Sequence, residues 1–147
     1  MADGPEVGPT AGAHDVAGPF DLSTTFAHLG LDASVIPVPE FSFRPDAVRR
    51  YLVRFARDRD EGRLVGMLPM VESWGHWERH VNGDELVVVL SGSCDIVQEV
   101  GDGFRTHRMG PGDALVNPRG VWHTSDVHEA GSTLFVAAGR RTDYRDR

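Results

Sequence analysis

A chain of 147 residues, 40% hydrophobic and 25% charged, has the length and composition of one globular domain, and no apolar run approaches the ~18 residues that a membrane helix needs. Acidic residues outnumber basic ones by 22 to 15, giving a net charge of −7, which excludes nucleic acid as the main partner because nucleic-acid binding requires clustered positive charge. All 15 basic residues are arginine, which excludes a lysine Schiff base, and a single cysteine, Cys94, excludes an intrachain disulfide and favours the reducing cytoplasm.

The two ends of the chain differ in composition from its middle. Residues 1–19 are rich in Gly, Ala, Pro and Asp with few large apolar side chains, so we expect a flexible tail there. Residues 140–147 are highly charged and are expected to form a frayed C-terminal tail. The single domain is therefore predicted over residues 20–139. Its first part, residues 20–43, is expected to hold edge strands and loops.

One helix is predicted over residues 44–60. Pro45 suits the first turn of a helix, and apolar side chains recur at helical spacing along one face. These side chains are Val48, Tyr51, Leu52 and Phe55. The arginines of this segment are expected to form a solvated face, since acidic residues lie among them.

The remainder of the chain has the short, regularly spaced apolar runs of an all-β protein. The predicted strands cover residues 63–67, 69–81, 85–91, 93–100, 104–109, 114–117, 122–127 and 133–138. Residues 85–92, ELVVVLSG, are apolar on both faces, which predicts burial on both sides. We therefore expect a homodimer that packs through sheet surfaces or N-terminal strands.

A candidate site lies in residues 74–92. The dipeptide Asn82-Gly83 is the strongest short-range signal for a two-residue hairpin, which would place His80 opposite Glu85. Side chains two apart on a strand share a face, so Glu78 would join them. The same face also carries Trp74 and His76. Such groups are usually only the hydrated face of a hairpin, but several on one face predict a site for iron, manganese, nickel or zinc.

A second segment, residues 112–123, adds a fourth candidate ligand, His123. Its sequence GDALVNPRGVWH ends a strand in a Pro-Arg-Gly turn and then presents Trp122 and His123. With these two segments the chain resembles the cupin superfamily, whose second motif is matched by Gly112, Pro118, Gly120 and His123, with Val127 in place of its final asparagine. In the first motif, residues 85–92 match E(x6)G, His80 matches the second histidine, and Glu78 stands where the first histidine is expected.

The resemblance implies an all-β double-stranded β-helix (jelly-roll) barrel with one N-terminal helix. It implies Glu78, His80, Glu85 and His123 as metal ligands. His76 is an alternative to Glu78, because it shares the same strand face. The aromatic side chains near these segments are expected to form part of a substrate pocket. The predicted pocket residues are Trp74, His76, Trp122 and Phe135. Trp77 and Arg79 should point to the opposite face.

Three functions stay open at this point. The leading one is an Fe(II) dioxygenase acting on a small organic molecule, because two histidines and a carboxylate leave open positions on ferrous iron for oxygen and substrate. The second is a lyase or isomerase in which zinc, manganese or nickel polarises a carbonyl and Glu78 is the catalytic base. The third is a non-catalytic small-molecule-binding or sensor domain.

Overall fold

The computed structural model describes residues 18–147. The strands in this part of the chain are β1 (Phe26–Leu29), β2 (Val35–Val38), β3 (Arg63–Met70), β4 (His76–His80), β5 (Glu85–Val100), β6 (Gly103–Met109), β7 (Ala114–Asn117), β8 (His123–Ala137) and β9 (Thr142–Asp146). A helix, α1 (Pro45–Arg54), and a 3₁₀ turn (Ala56–Asp58) lie between β2 and β3. The predicted all-β jelly roll with an N-terminal helix is confirmed. The predicted N-terminal tail falls almost entirely on residues 1–17, which lie outside the described residues.

The strands form two layers that are joined by two long strands, β5 and β8. In the first layer, β7, β5, β8, β3, β1 and β2 lie side by side, with β8 contributing its C-terminal half. In the second layer, β6, β5, β8, β4 and β9 lie side by side, with β8 contributing its N-terminal half. In residues 18–147 no helix is long and apolar enough to cross a membrane.

The long strands bend where they pass between the layers. The β5–β8 register shifts three times between Val89 and Cys94, as in a β-bulge. The bend needs glycine, because Gly92 has a φ of +77° and a Cβ at Gly131 would collide with the Ser91 carbonyl. The sequence predicted a separate short strand on each side of each glycine, whereas the structure has one bent strand through each glycine.

The predicted hairpin at Asn82-Gly83 is wrong. β4 pairs with β8 and β9, β5 pairs with β6, β7 and β8, and no ladder within residues 18–147 joins β4 to β5. The connection instead carries the chain from the second layer to the first. Pairing of β5 with strands distant in sequence therefore outweighs the local turn preference.

The ends of two predicted elements also need correction. The helix ends at Arg54 and is followed by the 3₁₀ turn, so it does not extend to residue 60. The expected C-terminal tail is instead strand β9, which pairs with β4 over its whole length. Asp143 of β9 accepts hydrogen bonds from the Arg79 guanidinium at 3.0 and 3.1 Å, so the charges of this segment attach it to the sheet.

In residues 18–147 two clusters of buried apolar side chains form the core. One joins α1 to the first layer and consists of Phe26, Val38, Tyr51, Phe55, Leu64, Phe135 and Ala137. The other lies between the layers and consists of Met70, Val89, Cys94, Ile96 and Met109. The space enclosed between these two clusters contains the candidate site.

The outer face of β5 is not covered by any other part of residues 18–147. Val89 is fully buried, but Leu86 and Leu90 on the other face of the strand are 37% and 40% exposed, and Val116 beside Leu86 is 49% exposed. The described part of a single chain therefore does not bury both faces of β5 as expected. The homodimer stays a prediction.

We expect light scattering to give twice the chain mass of 16.1 kDa at micromolar concentration, because a second copy would cover the apolar face of β5. Replacing Leu86 and Leu90 together by lysine should yield the monomer mass, since buried charge opposes association. As a control, Thr106→Lys on exposed β6 should leave the dimer intact. A wild-type mass of 16.1 kDa would contradict this prediction.

Candidate metal centre

Two glutamates and two histidines converge between the layers. Donor atoms of Glu78, His80, Glu85 and His123 all lie within 4.8 Å of one another. The Nε2 atom of His80 is 3.3 Å from Glu85 Oε1, and that of His123 is 3.2 Å from Glu85 Oε2 and 3.3 Å from Glu78 Oε1. A divalent ion bound at about 2.1 Å by nitrogen and oxygen separates adjacent ligands by about 3 Å, so these distances fit such an ion.

Three strands position these side chains. Glu78 and His80 alternate with outward-facing residues on β4, Glu85 begins β5, and His123 begins β8. Glu78 is directly opposite His123 in the β4–β8 pair. Glu78 and His80 therefore reach Glu85 across the space between the layers, not across a hairpin.

Both histidines are oriented through Nδ1. The His123 Nδ1–H donates to the Val121 carbonyl at 3.2 Å, and the His80 Nδ1 lies 3.1 Å from the Thr142 hydroxyl. A carbonyl only accepts, so His123 carries a proton on Nδ1 and directs Nε2 to the cluster. His80 Nε2 is buried and has no hydrogen-bond partner among the described residues. Such an unpartnered nitrogen beside carboxylates fits a metal ligand.

Glu85 is held by a chain of buried amides. The Asn117 Nδ2 donates to Glu85 Oε2 at 3.0 Å, and the Gln98 Nε2 donates to Asn117 Oδ1 at 2.8 Å. Asn117 is the cross-strand partner of Glu85 in the β5–β7 pair. These two amides were not predicted from the sequence, although the pairing of residues 85–91 with 114–117 would have placed Asn117 beside Glu85.

The electrostatics of the cluster favour a cation between the carboxylates. Burial lowers the pKa of His123, but its hydrogen bonds with Glu78 and Glu85 outweigh this effect and raise the pKa to about 9. Burial raises the pKa of Glu85, but the adjacent imidazoles of His123 and His80 outweigh this effect and lower the pKa to about 2. The metal-free site thus holds a proton on His123 at neutral pH, which a divalent ion would have to replace.

The cavity beside the cluster contains most of the predicted pocket residues. Trp74, His76 and Phe135 line it. His76 stacks on Trp74 at 5.3 Å and lies outside the group of four donors, so the structure does not place it as a substitute for Glu78. Cys94 also lines the cavity, and burial raises the pKa of its thiol, which disfavours a nucleophilic role.

Trp122 was wrongly predicted to line this pocket. The guanidinium groups of Arg79 and Arg145 lie 4.6 and 4.5 Å from its ring centroid on the outer face of the second layer. Trp122 precedes the inward-facing His123 and therefore points outward. Trp77 packs on that outer face as well, as predicted, with Arg145 5.3 Å from its ring.

Strand β9 contributes two cavity residues that were not predicted from the sequence. Thr142 and Tyr144 both line the cavity, and Tyr144 is opposite Glu78 in the β4–β9 pair. Burial raises the pKa of Tyr144, and the charge of Glu78 raises it further. The alternation of these two residues with Asp143 and Arg145 is the period-two pattern of a strand, which the high charge of the segment obscured.

Comparisons with known proteins identify a family and several solved structures to which this chain is similar. Residues 67–133 match the EutQ-like cupin domain, and no curated protein matches the chain. A cupin-2 domain containing protein from Shewanella frigidimarina is 22% identical over 53% of this chain and 70% of its own, with a TM-score of 0.42. Hydroquinone 1,2-dioxygenase from a Sphingomonas species is 13% identical over 50% of this chain and 57% of its own, with a TM-score of 0.44. Oxalate decarboxylase from Bacillus subtilis is 16% identical over 65% of this chain and 26% of its own, with a TM-score of 0.50.

Removal of a histidine of the cluster should abolish tight metal binding. We expect this result for His80→Ala and His123→Ala, because each substitution removes a nitrogen donor. Glu85→Ala should strongly reduce the metal affinity. The control is His128→Ala, which alters a partly exposed histidine paired with Asp95 at 3.0 Å and should leave metal content unchanged. Elemental analysis of the purified variants is the measurement. Full occupancy in either cluster-histidine variant would remove that residue from the site.

Removal of the Thr142 hydroxyl should weaken metal binding although Thr142 is not a ligand. In Thr142→Val the His80 Nδ1–H loses its acceptor, and loss of such a partner typically reduces metal affinity roughly 10- to 100-fold. Thr142→Ser should retain wild-type affinity. Competitive titration with a chelator measures the affinity, and the melting temperature monitors the fold. Equal affinities of the valine and serine variants would contradict the orienting role.

Proposed function

The chain is a member of the cupin superfamily through residues 67–133, and from this premise we propose that it is a metal-dependent enzyme, an Fe(II) dioxygenase-type oxidoreductase acting on a small organic molecule. The observation that carries the proposal is the cluster of two imidazoles and two carboxylates at the wall of an apolar cavity.

The donor set supports iron in this role. Nitrogen and oxygen donors suit Fe(II), and four protein donors leave two positions of an octahedral ion for other ligands. When bound, Fe(II) supplies one-electron redox chemistry toward oxygen and an organic substrate. Two carboxylates neutralise the charge of a divalent ion, which lowers its strength as a Lewis acid and favours this use over zinc-type acid catalysis. Zinc, manganese and nickel suit the same donors.

The surrounding side chains support such chemistry by positioning the donors and excluding water. Asn117 and Thr142 orient Glu85 and His80, so the donor geometry exists before a substrate enters. Trp74 covers one side of the cluster, with its ring 6.2 Å from that of His123. A dry apolar wall strengthens electrostatic interactions in the site and suppresses side reactions with water.

A second candidate function, a metal-dependent lyase or isomerase, is favoured by one observation. Asn117 holds Glu85, whereas the polar contacts of the Glu78 carboxylate within residues 18–147 are with His123 at 3.3 Å and His80 at 3.8 Å. A less restrained carboxylate can act as a general base. Tyr144 lies across the strand pair from Glu78 and lines the same cavity.

A non-catalytic binding or sensor domain is the third candidate. Metal content separates it from the two enzymes, since a protein that takes up no metal would have neither chemistry. Oxygen consumption separates the enzymes from each other, because a dioxygenase consumes oxygen with its substrate and a lyase or isomerase does not.

We expect Glu78→Gln to reduce Fe(II) affinity, because the substitution keeps the shape of the side chain while removing the negative charge of a donor. The exposed Glu72→Gln is the control and should behave as wild type. Chelator titration and oxygen-electrode assays with a panel of catechols and chelating acids measure affinity and turnover. Unchanged affinity with turnover lowered about 10²–10⁴-fold would instead indicate a lost general base. Unchanged affinity and turnover would exclude Glu78 from both roles.

A further inference from the structure

The cavity is much larger than a metal ion and a small acid require. Its volume is about 720 Å³. Sites of about 300–1,000 Å³ enclose most of the surface of a drug-sized ligand. An acid of a few carbon atoms, bound to the ion, would leave most of this space unfilled.

One wall of the cavity is apolar and comes from outside the sheets. It is formed by the loop before α1 and by α1 itself, and we call it the α1 wall. Its residues are Phe41, Phe43, Val48 and Leu52. Leu64, Leu68 and Phe135 of the first layer also line the cavity. Phe41 contacts Phe43 and Tyr51 edge-on at 5.5 and 5.3 Å between ring centroids. These surfaces offer apolar and aromatic contacts to a ligand.

Charge is confined to a small part of the described lining. Arg141 is the one further charged side chain among the described residues that line the cavity, besides the four-residue cluster and His76. The Arg141 side chain is 69% exposed and lies 3.4 Å from Asp143. An ionised group on the part of a ligand that meets the α1 wall would therefore lack a buried partner, which is costly.

A buried polar network fixes the α1 wall in place. His28 of β1 lies 2.8 Å from Asp58 through Nε2 and 2.7 Å from the Tyr51 hydroxyl through Nδ1, and all three residues are at most 4% exposed. The His28 ring also stacks on Phe55 at 3.8 Å. Because breaking a buried hydrogen-bonded pair is expensive, α1 is held in place, and a ligand need not order the part of the wall that the helix carries.

We infer that the ligand of this site is amphipathic, with a chelating oxygen head that reaches the Glu78–His123 cluster and an uncharged apolar body, larger than one aromatic ring, that packs against the α1 wall. The chelating head rests on the proposed function. The apolar body rests on the cavity and its lining alone.

Two hydroxamic acids with the same chelating head test this inference. Benzohydroxamic acid and 4-phenylbenzohydroxamic acid differ by one phenyl ring, and isothermal titration into the zinc-loaded protein compares their affinities. We expect the longer acid to bind roughly 10- to 100-fold more tightly, as burial of one apolar ring predicts. Equal affinities would overturn the inference, and so would failure of both acids to bind the metal-loaded protein.

A matched pair of variants on α1 locates the apolar body. Leu52→Asp places a charge in the cavity wall and should reduce the preference for the longer acid at least tenfold, with zinc stoichiometry unchanged. Val53→Asp, at a neighbouring position that is 72% exposed, should leave the preference intact. If both variants keep the wild-type preference, the body does not contact the α1 wall and the inference fails. The wild-type comparison decides the inference even if Leu52→Asp does not fold.

The same titrations with 4-phenylbenzoate and benzoate on metal-free protein separate this inference from the proposed function. A chain that takes up no metal but prefers the longer benzoate refutes the metal-dependent function and retains the apolar subsite. A chain that binds metal but shows no preference in either series refutes the subsite alone.

Discussion

Two neighbouring glutamates at the central cavity, Glu85 buried and Glu78 half-buried, impose the constraint on which the rest of the site depends. Glu78 and Glu85 contribute donor atoms to one group only 4.8 Å across, and like charges at this separation in a buried space repel strongly. Positive charge between them resolves the repulsion. In the metal-free state the proton on His123 supplies part of that charge, and a divalent ion would supply more.

The fold meets this constraint by bringing distant segments to one place. β4 carries two of the four donors in the second layer, β5 carries one in the first, and β8 carries the last at the start of its path between the layers. The bends near Gly92 and Gly131 let β5 and β8 belong to both layers. β7 and β9 then add Asn117 and Thr142, which orient a carboxylate and an imidazole. The donors and their supports thus come from five strands.

The sequence predicted the identity of the clustered residues better than their geometry. The two cupin-like motifs contain all four donors, because the chemistry of a metal site restricts residue type and spacing. The hairpin at Asn82-Gly83 was wrong, since a turn preference is local whereas the pairing of β5 depends on strands far along the chain. Trp122 was misplaced although its position next to His123 implies the opposite face. Strand β9 was missed because charges that attach it to Arg79 resemble those of a solvated tail.

The α1 wall could not be predicted from the sequence for a similar reason. Helical spacing identified Val48 and Leu52 as one stripe with Tyr51 and Phe55, but only the tertiary structure divides that stripe between the cavity and the core.

The central claim is that the four clustered side chains bind one metal ion. Anomalous diffraction at the iron edge from crystals grown with Fe(II) tests it most directly. We expect one peak within about 2.2 Å of donor atoms from Glu78, His80, Glu85 and His123. A peak elsewhere, or none between these side chains, would contradict the claim.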